Sequence, residues 1–260
     1  AFISLAGFFM TLYLLSAHWK PLLLVPALLC MGVFTAGIVL TTSRTALVVF
    51  AFTLLVAAVI LLSRLKLSRR RRRIILLVGA VVLAAAVIVG FGPLTKWIND
   101  RIPGENPNIS AERNFFTSLA TLTGRRDLYE AVPQVIRAYP QLLLKGFDEL
   151  EMMPTVNEYA TYERFTHMHN SYLQTLMLTG LPGLLAAIWY TVRMLGAMAR
   201  SFKSKALPVA EKLLALVPLS LFLSGLLEHY LFVDTYSILN FVFFLFLGYL
   251  FETDRRFKTA

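Results

Sequence analysis

The sequence predicts an all-α protein, a polytopic membrane helix bundle of about seven transmembrane helices with one large, partly helical periplasmic loop. Three observations lead there. The 260 residues are 57% hydrophobic and only 15% charged, whereas about a quarter of the residues in a soluble domain carry charge. Apolar runs of roughly the 20 residues needed to cross the hydrocarbon core recur along the chain. The basic residues behind a net charge of +10 fall in short blocks between those runs. That layout belongs to membrane topology, not to a nucleic-acid surface with basic and aromatic residues interleaved.

In chain order the expected spans are 2–17, 22–40, 46–63, 74–92, 172–192, 213–232 and 238–251. The first and last are short for a full crossing. The chain starts "AFISLAGFFM", already inside an apolar segment, so it reads as part of a longer protein with no recognisable signal peptide. Cys30, the single cysteine, lies within an apolar run and excludes a disulfide framework inside the chain. The organisation expected is helices and a basic loop (64–73) over 1–92, a hydrophilic loop over 93–170, and the remaining helices with a tail over 171–260.

Orientation follows from the charges. "RLKLSRRRRR" at 64–73 carries seven basic residues, 193–212 five, the tail after 251 three, and "HWKP" at 18–21 one. If the spans alternate, one face holds sixteen of the 25 basic residues and three of the 15 acidic ones. Lys and Arg in short loops stay cytoplasmic, so the arginine run reads as an anchor and no nucleic-acid partner is implied. The opposite face, periplasmic if the membrane is a bacterial inner membrane, gathers "TTSR" (41–44), the whole of 93–170 and "EHYLFVDTYS" (228–237).

The large loop is patterned. Residues 110–124 read as a helix with Ser110 as N-cap and Gly124 as terminator. Residues 126–140 place Leu128, Ala131, Val132, Val135, Ile136 and Tyr139 on one helical stripe ending before Pro140, with a kink expected at Pro133.

Chemistry is expected where ionisable side chains reach the outer face. Arg44, beside Ser43 at the mouth of the third span, is either a snorkelling anchor or functional. Arg125 and Arg126 open a helix, where backbone N–H groups and planar guanidinium groups suit phosphate oxygens; the plainer reading is a solvated helix start paired with Asp127 or Glu130. His167 and His169 share a face in an extended segment. A metal there would need a third ligand, with Glu163, Glu228, His229 and Asp234 available by topology, and no metal is expected. Instead a histidine titrating near neutrality suits a general base, the alternative being a cap on the following helix. Asn170 is a good cap residue whose amide could orient a sugar. Gly180 and Gly183 permit close helix packing, with Pro182 marking an irregularity. Glu228 and His229 close the sixth span, and Asp234 follows; acids at a membrane boundary are functional candidates.

With these residues in view, "HNSYLQTLMLTGLPG" resembles the signature of the O-antigen ligase and polymerase superfamily: His, then Asn, Ser or Gln, nine residues, Gly, two residues, Gly. Here these are His169, Asn170, the nine residues 171–179, Gly180 and Gly183. "TTSRTAL" resembles the family's Ser-Arg at a periplasmic helix mouth, "TGRRDLYEAV" its Gly-Arg opening a periplasmic helix, and "AYPQLLLKGF" its Pro-to-Gly stretch. The resemblance covers about residues 35–190 and implies the C-terminal part of a protein with more helices. His167 adds a second histidine beside the one that the motif selects.

What the resemblance implies is a glycosyltransferase of lipopolysaccharide biosynthesis. It would take a glycan from undecaprenyl pyrophosphate and join it, with inversion, to an acceptor hydroxyl such as that of lipid A-core, at the periplasmic face and without nucleotide, metal or other cofactor. His169 would be the base, and Arg44 and Arg125, helped by Arg126, would clamp the pyrophosphate; Ser43, His167, Asn170, Glu228, His229 and Asp234 are secondary candidates. A polymerase joining lipid-linked repeat units shares these motifs, and an oligosaccharyltransferase acting on protein is a further alternative. A transporter or flippase fragment would instead place ionisable groups at mid-span and broken helices in matched halves.

Overall fold

A computed structural model of the chain describes residues 1–18, 20–41, 43–63, 65, 67–99, 125–161, 165–233 and 237–259, with the backbone only at Arg44, 86–99 and 257–259. The helix expected over 110–124 lies outside the described residues. Among the described residues every regular element is a helix: α1 (Phe2–Ala17), α2 (Pro21–Leu40), α3 (Arg44–Leu62), α4 (Arg69–Asn99), α5 (Arg125–Ala138), α6 (Leu142–Lys145), α7 (Glu149–Tyr159), α8 (Ser171–Lys203), α9 (Val209–Leu214), α10 (Leu216–Gly225) and α11 (Ile238–Thr259). They form two compact units. The first holds α1–α4, Ala197–Ser224 and α11 from Phe243; the second runs from α5 to Gly196 and adds Gly225–Val242.

The expectation of an all-α membrane protein holds. Among the described residues three helices are long and apolar enough to cross a membrane, at Pro21–Leu40, Thr45–Leu62 and Ser171–Lys203, while Phe2–Ala17 is apolar but shorter. Two expected boundaries move. Helix α4 starts at Arg69, not 74, so five arginines of the run stand on its first turns, with Ser68 Oγ accepting from the Arg71 amide at 3.3 Å. Cations oppose the dipole at a helix N-terminus, so the run does not stabilise the helix it opens. The sixth span is also not one helix: it breaks at Ala215 and ends at Gly225, seven residues short of 232. Pro218 has no N–H to give the Leu214 carbonyl, which accounts for the break.

In the first unit α1 packs on α2 and α3. Leu5 and Phe9 are fully buried, and the Phe8 and Phe50 rings meet edge to face with centroids 4.8 Å apart. A Cβ on Gly7 would come within 2.5 Å of the Phe34 ring, so a residue without a side chain permits that approach. Arg200 grips Asp254 through two bonds of 2.7 Å, joining the end of α8 to the end of α11.

In the second unit α5 and α7 share one apolar core. Leu128, Ala131, Val132 and Val135 pack with Met152, Met153 and Val156, joined by Phe165, Met168 and Met177. The α5 stripe is the one the periodicity gave, and the helix runs on through Pro133. Each Leu, Val, Met or Phe side chain among them stabilises by about 1.5–3 kcal/mol when buried. Helix α7 was not expected; its start is fixed by Asp148, whose Oδ1 accepts from the Leu150 amide at 2.9 Å.

Helix α8 is two helical segments meeting at Gly180 (φ 67°, ψ −164°), with Pro182 in the first turn of the second, where its missing N–H costs nothing. At the kink the chain meets the end of α6. A Cβ on Gly180 would lie 2.8 Å from the Leu143 carbonyl oxygen, a Cβ on Gly146 would collide with the Leu178 carbonyl, and the Phe147 amide donates to the Met177 carbonyl at 2.6 Å.

Candidate active site

The site lies within the second unit and is built from three pieces: the start of α5, the segment 165–170 before α8, and the turn after α10. Asn157 of α7 anchors the second piece by donating to the Phe165 carbonyl and accepting from the Phe165 amide, both at 2.8 Å. The buried Met168 donates its amide to Gln174 Oε1 at 3.0 Å. His169 follows in the left-handed region at φ 48°, unusual for a residue with a Cβ.

Asn170 and Ser171 then do two jobs each. Asn170 Oδ1 caps α8 by accepting from the Tyr172 and Leu173 amides at 2.9 and 3.0 Å, while its Nδ2 donates to the Leu226 carbonyl at 2.8 Å. Ser171 Oγ donates to the Glu228 carbonyl at 2.7 Å and accepts from the Leu231 amide at 3.1 Å. The turn 226–231 is thus fastened to the start of α8, which explains why the sixth apolar run leaves the helix early.

Glu228 occupies the centre. Its Oε1 accepts from an Arg125 guanidinium nitrogen at 3.2 Å, and its Oε2 stands 3.6 Å from His169 Nδ1. The side chains of Arg125, Glu228 and His169 are 14, 19 and 26% exposed, shielded but within reach of a ligand. Burial pushes the Glu228 carboxyl upward, but His169, Arg125 and His167 outweigh it and hold the group below its ordinary value, so it is ionised at neutral pH. His167 packs its ring 3.9 Å from that of His169 and stacks on His229 at 3.8 Å, the latter pair inclined by 20°. Burial, then the neighbouring His169 and His229, lower its pKa to about 4, which leaves it neutral at physiological pH. No three His, Cys, Asp or Glu side chains among the described residues are set to hold a metal.

Beside the cluster a cavity of about 640 Å³ is lined by Met153, Pro154, Asn157, Glu158, Phe165 and Thr166. Phe165 links it to the cluster, presenting its ring edge-on to His169 with centroids 6.3 Å apart.

The model of the family described as O-antigen ligase matches residues 26–188, more than half of the chain. The chain belongs to the O-antigen ligase family. No curated protein and no solved structure matches it. Membership places it among the ligase- and polymerase-like membrane glycosyltransferases. The matched span holds Arg44, Arg125, His169, Gly180 and Gly183 but stops forty residues short of Glu228.

The remaining sequence candidates in this O-antigen ligase family chain are placed as follows. Arg126 lies outside the cluster: it is 78% exposed and bonded to Glu130 at 2.7 Å. Ser43 caps α3, its hydroxyl accepting from the Ala46 amide at 3.3 Å, and Arg44 is the first residue of that helix, in the other unit. Asp234 and Glu163 lie outside the described residues. Sequence reasoning ranked Glu228 below the arginines, yet it is the residue on which the cluster converges. An acid next to a histidine at the outer end of a span was the available signal; its pairing with Arg125, 103 residues away, had none. Asn157, which anchors the histidine segment, carried no signal either.

Proposed function

We propose that this protein is an O-antigen ligase. It moves a glycan from undecaprenyl pyrophosphate to an acceptor hydroxyl of lipid A-core, at the periplasmic face of the bacterial inner membrane, and inverts the anomeric carbon. The observation that carries the reading is the meeting of Arg125, Glu228 and His169. A helix-starting guanidinium that suits phosphate oxygens stands on the same carboxylate as a histidine able to act as base.

The chemistry asks for little more. The diphosphate leaves with the bonding electron pair of the anomeric C–O bond, and cations stabilise the charge that develops on it. Arg125 supplies one from this site; the resemblance assigns a second to Arg44, with Arg126 as a peripheral helper. His169 takes the proton of the acceptor hydroxyl as its oxygen attacks from the opposite face, assistance typically worth about 10²- to 10⁴-fold. No nucleotide or metal enters this balance. The cavity walled by Phe165 and Asn157 lies in the range of roughly 300–1,000 Å³ of small-molecule sites and is suited to a glycan unit.

The test reconstitutes the protein in vesicles with undecaprenyl-pyrophosphate glycan, with EDTA and without nucleotide, and offers either lipid A-core or a second lipid-linked repeat unit. Glycan on lipid A-core is the expected product; chain extension instead assigns the polymerase activity. His169→Ala should lose at least about 100-fold in rate with membrane insertion intact, and wild-type turnover in that variant removes the base. In the same assay Arg125→Lys, which keeps charge but loses the paired donors, should weaken donor use; unchanged donor KM removes the clamp.

A further inference from the structure

Glu228 lies beyond the segment the family match covers, in a turn that Asn170 and Ser171 hold in place. A carboxylate accepts hydrogen bonds and donates none when ionised. His169 Nδ1 is buried and has no hydrogen-bond partner among the described residues, and Glu228 Oε2 is 3.6 Å from it. A movement of about half an ångström closes that gap to an ordinary N–H···O bond, and bonds of this kind tighten commonly when substrate arrives. Nδ1 then carries the hydrogen and Nε2 keeps the lone pair, the tautomer a base needs. The other oxygen of the same carboxylate holds Arg125 at 3.2 Å.

We propose that Glu228 is a positioning residue that orients His169 through Nδ1 and ties it to Arg125. This rests on the glycosyl-transfer reading above. When the acceptor O–H bond breaks and its proton arrives on His169, the new glycosidic C–O bond forms and the diphosphate departs with its electron pair. Glu228 stays ionised throughout and stabilises the imidazolium. A diphosphate drawing on Arg125 loosens that arginine's hold on Oε1, so the carboxylate is freed to close on Nδ1 when donor is bound.

The charged and titratable groups facing Glu228 are Arg125 and Tyr129 of α5, His167 and His169 of the segment before α8, and its neighbour His229. Removing its charge therefore leaves the base with the Arg125 cation nearby and no carboxylate beside it. The experiment measures transfer from undecaprenyl-pyrophosphate glycan between pH 5 and 9 for wild type, Glu228→Gln and Glu228→Asp. Glu228→Gln should lower kcat about 10- to 100-fold with donor KM changed less than about threefold, and should move the acid limb of the kcat profile about one pH unit lower, the effect of an opposite charge removed from within about 4–6 Å. Glu228→Asp should keep the limb in place. An unmoved limb in Glu228→Gln, or a loss equal at every pH, overturns the proposal, since misfolding lowers the active fraction without changing the profile.

A second readout needs no glycan. Carbethoxylation of His169 by diethyl pyrocarbonate, followed by mass spectrometry, requires the unprotonated ring; its pH profile should move lower in Glu228→Gln by a similar amount, and an identical profile overturns the proposal. If the modification profile moves while no variant, wild type included, transfers glycan, the glycosyl-transfer reading fails and the pairing of Glu228 with His169 stands.

Discussion

Alanine at Gly180 or Gly146 should destabilise the protein, whereas alanine at Gly32 or Gly248 should not. Gly180 (φ 67°, ψ −164°) and Gly146 (φ 73°, ψ −174°) both occupy a region open almost to glycine alone, and a side chain forced into it costs about 1–3 kcal/mol. A Cβ on Gly180 would also lie 2.8 Å from the Leu143 carbonyl oxygen and the Leu144 carbonyl carbon. Those are backbone atoms that move only with α6, and overpacking of this kind costs about 1–3 kcal/mol more. The sum, roughly 2–6 kcal/mol, corresponds to about 5–20 °C in Tm for a chain of this size. Gly32 and Gly248 sit inside α2 and α11 with no atom within 4 Å of a Cβ, so alanine there gains about 0.5–1 kcal/mol of helix propensity. Heating in detergent followed by fluorescence-detected size exclusion gives the four midpoints. Because Gly146 and Gly180 face one contact, the double substitution should lose less than the sum of the single ones. A Gly180→Ala midpoint equal to wild type, or an equal fall for Gly32→Ala, refutes the backbone-contact argument.

Two further expectations concern the histidine segment. His167 is held to about 4 in the folded protein against 6.5 unfolded, so the folded state binds fewer protons between those values and its contribution is complete above about 6.5, then lost as pH falls toward 4. The shift alone amounts to about 3 kcal/mol, and partial exposure reduces it to about 1–2 kcal/mol; wild type should lose more Tm between pH 7.5 and 4.5 than His167→Gln, and parallel losses contradict this. Ser171→Ala removes both bonds to the turn, about 1–3 kcal/mol, so hydrogen exchange at Leu231 should quicken; unchanged protection there would show that the turn is held by other contacts.

Much of this was legible in the sequence because the physics is local. Membrane character follows from apolar runs, and α5 from a stripe of Leu128, Ala131, Val132 and Val135 that only a helix puts on one side. The cap role of Asn170 follows from its place directly before an apolar helix, and the irregularity at Gly180 from the proline two residues on. What failed was non-local or short. Helix α7 mixes Glu149, Glu151 and Glu158 with methionines and a proline, so no stripe distinguishes it from a loop. The early end of the sixth span is imposed by side chains 56 and 57 residues earlier in the chain, Asn170 and Ser171; hydropathy, summed along one run, has no access to such a partner. Arg126 shows the reverse error of scale: adjacent to Arg125 in sequence, it is turned by one helical step to the exposed side and pairs with Glu130.

The conformation of His169 sharpens why the cluster is built as it is. A left-handed backbone at a residue with a Cβ costs about 1–2 kcal/mol, and the chain accepts it at the very histidine the family motif selects. Such strain persists only where the surroundings over-determine it, and here they do: Asn157 fixes Phe165 from both sides, Gln174 holds the Met168 amide, and Asn170 caps α8 one residue later. Each bond contributes about 0.5–1.5 kcal/mol, enough together to hold the strained residue. If the left-handed turn were merely tolerated, glycine at 169 would be the residue of least cost. The imidazole is kept there although it is strained, half-buried and beside two other histidines. With the backbone so placed, the ring reaches Glu228 from the α8 side at 3.6 Å while Arg125 reaches it from the start of α5 at 3.2 Å.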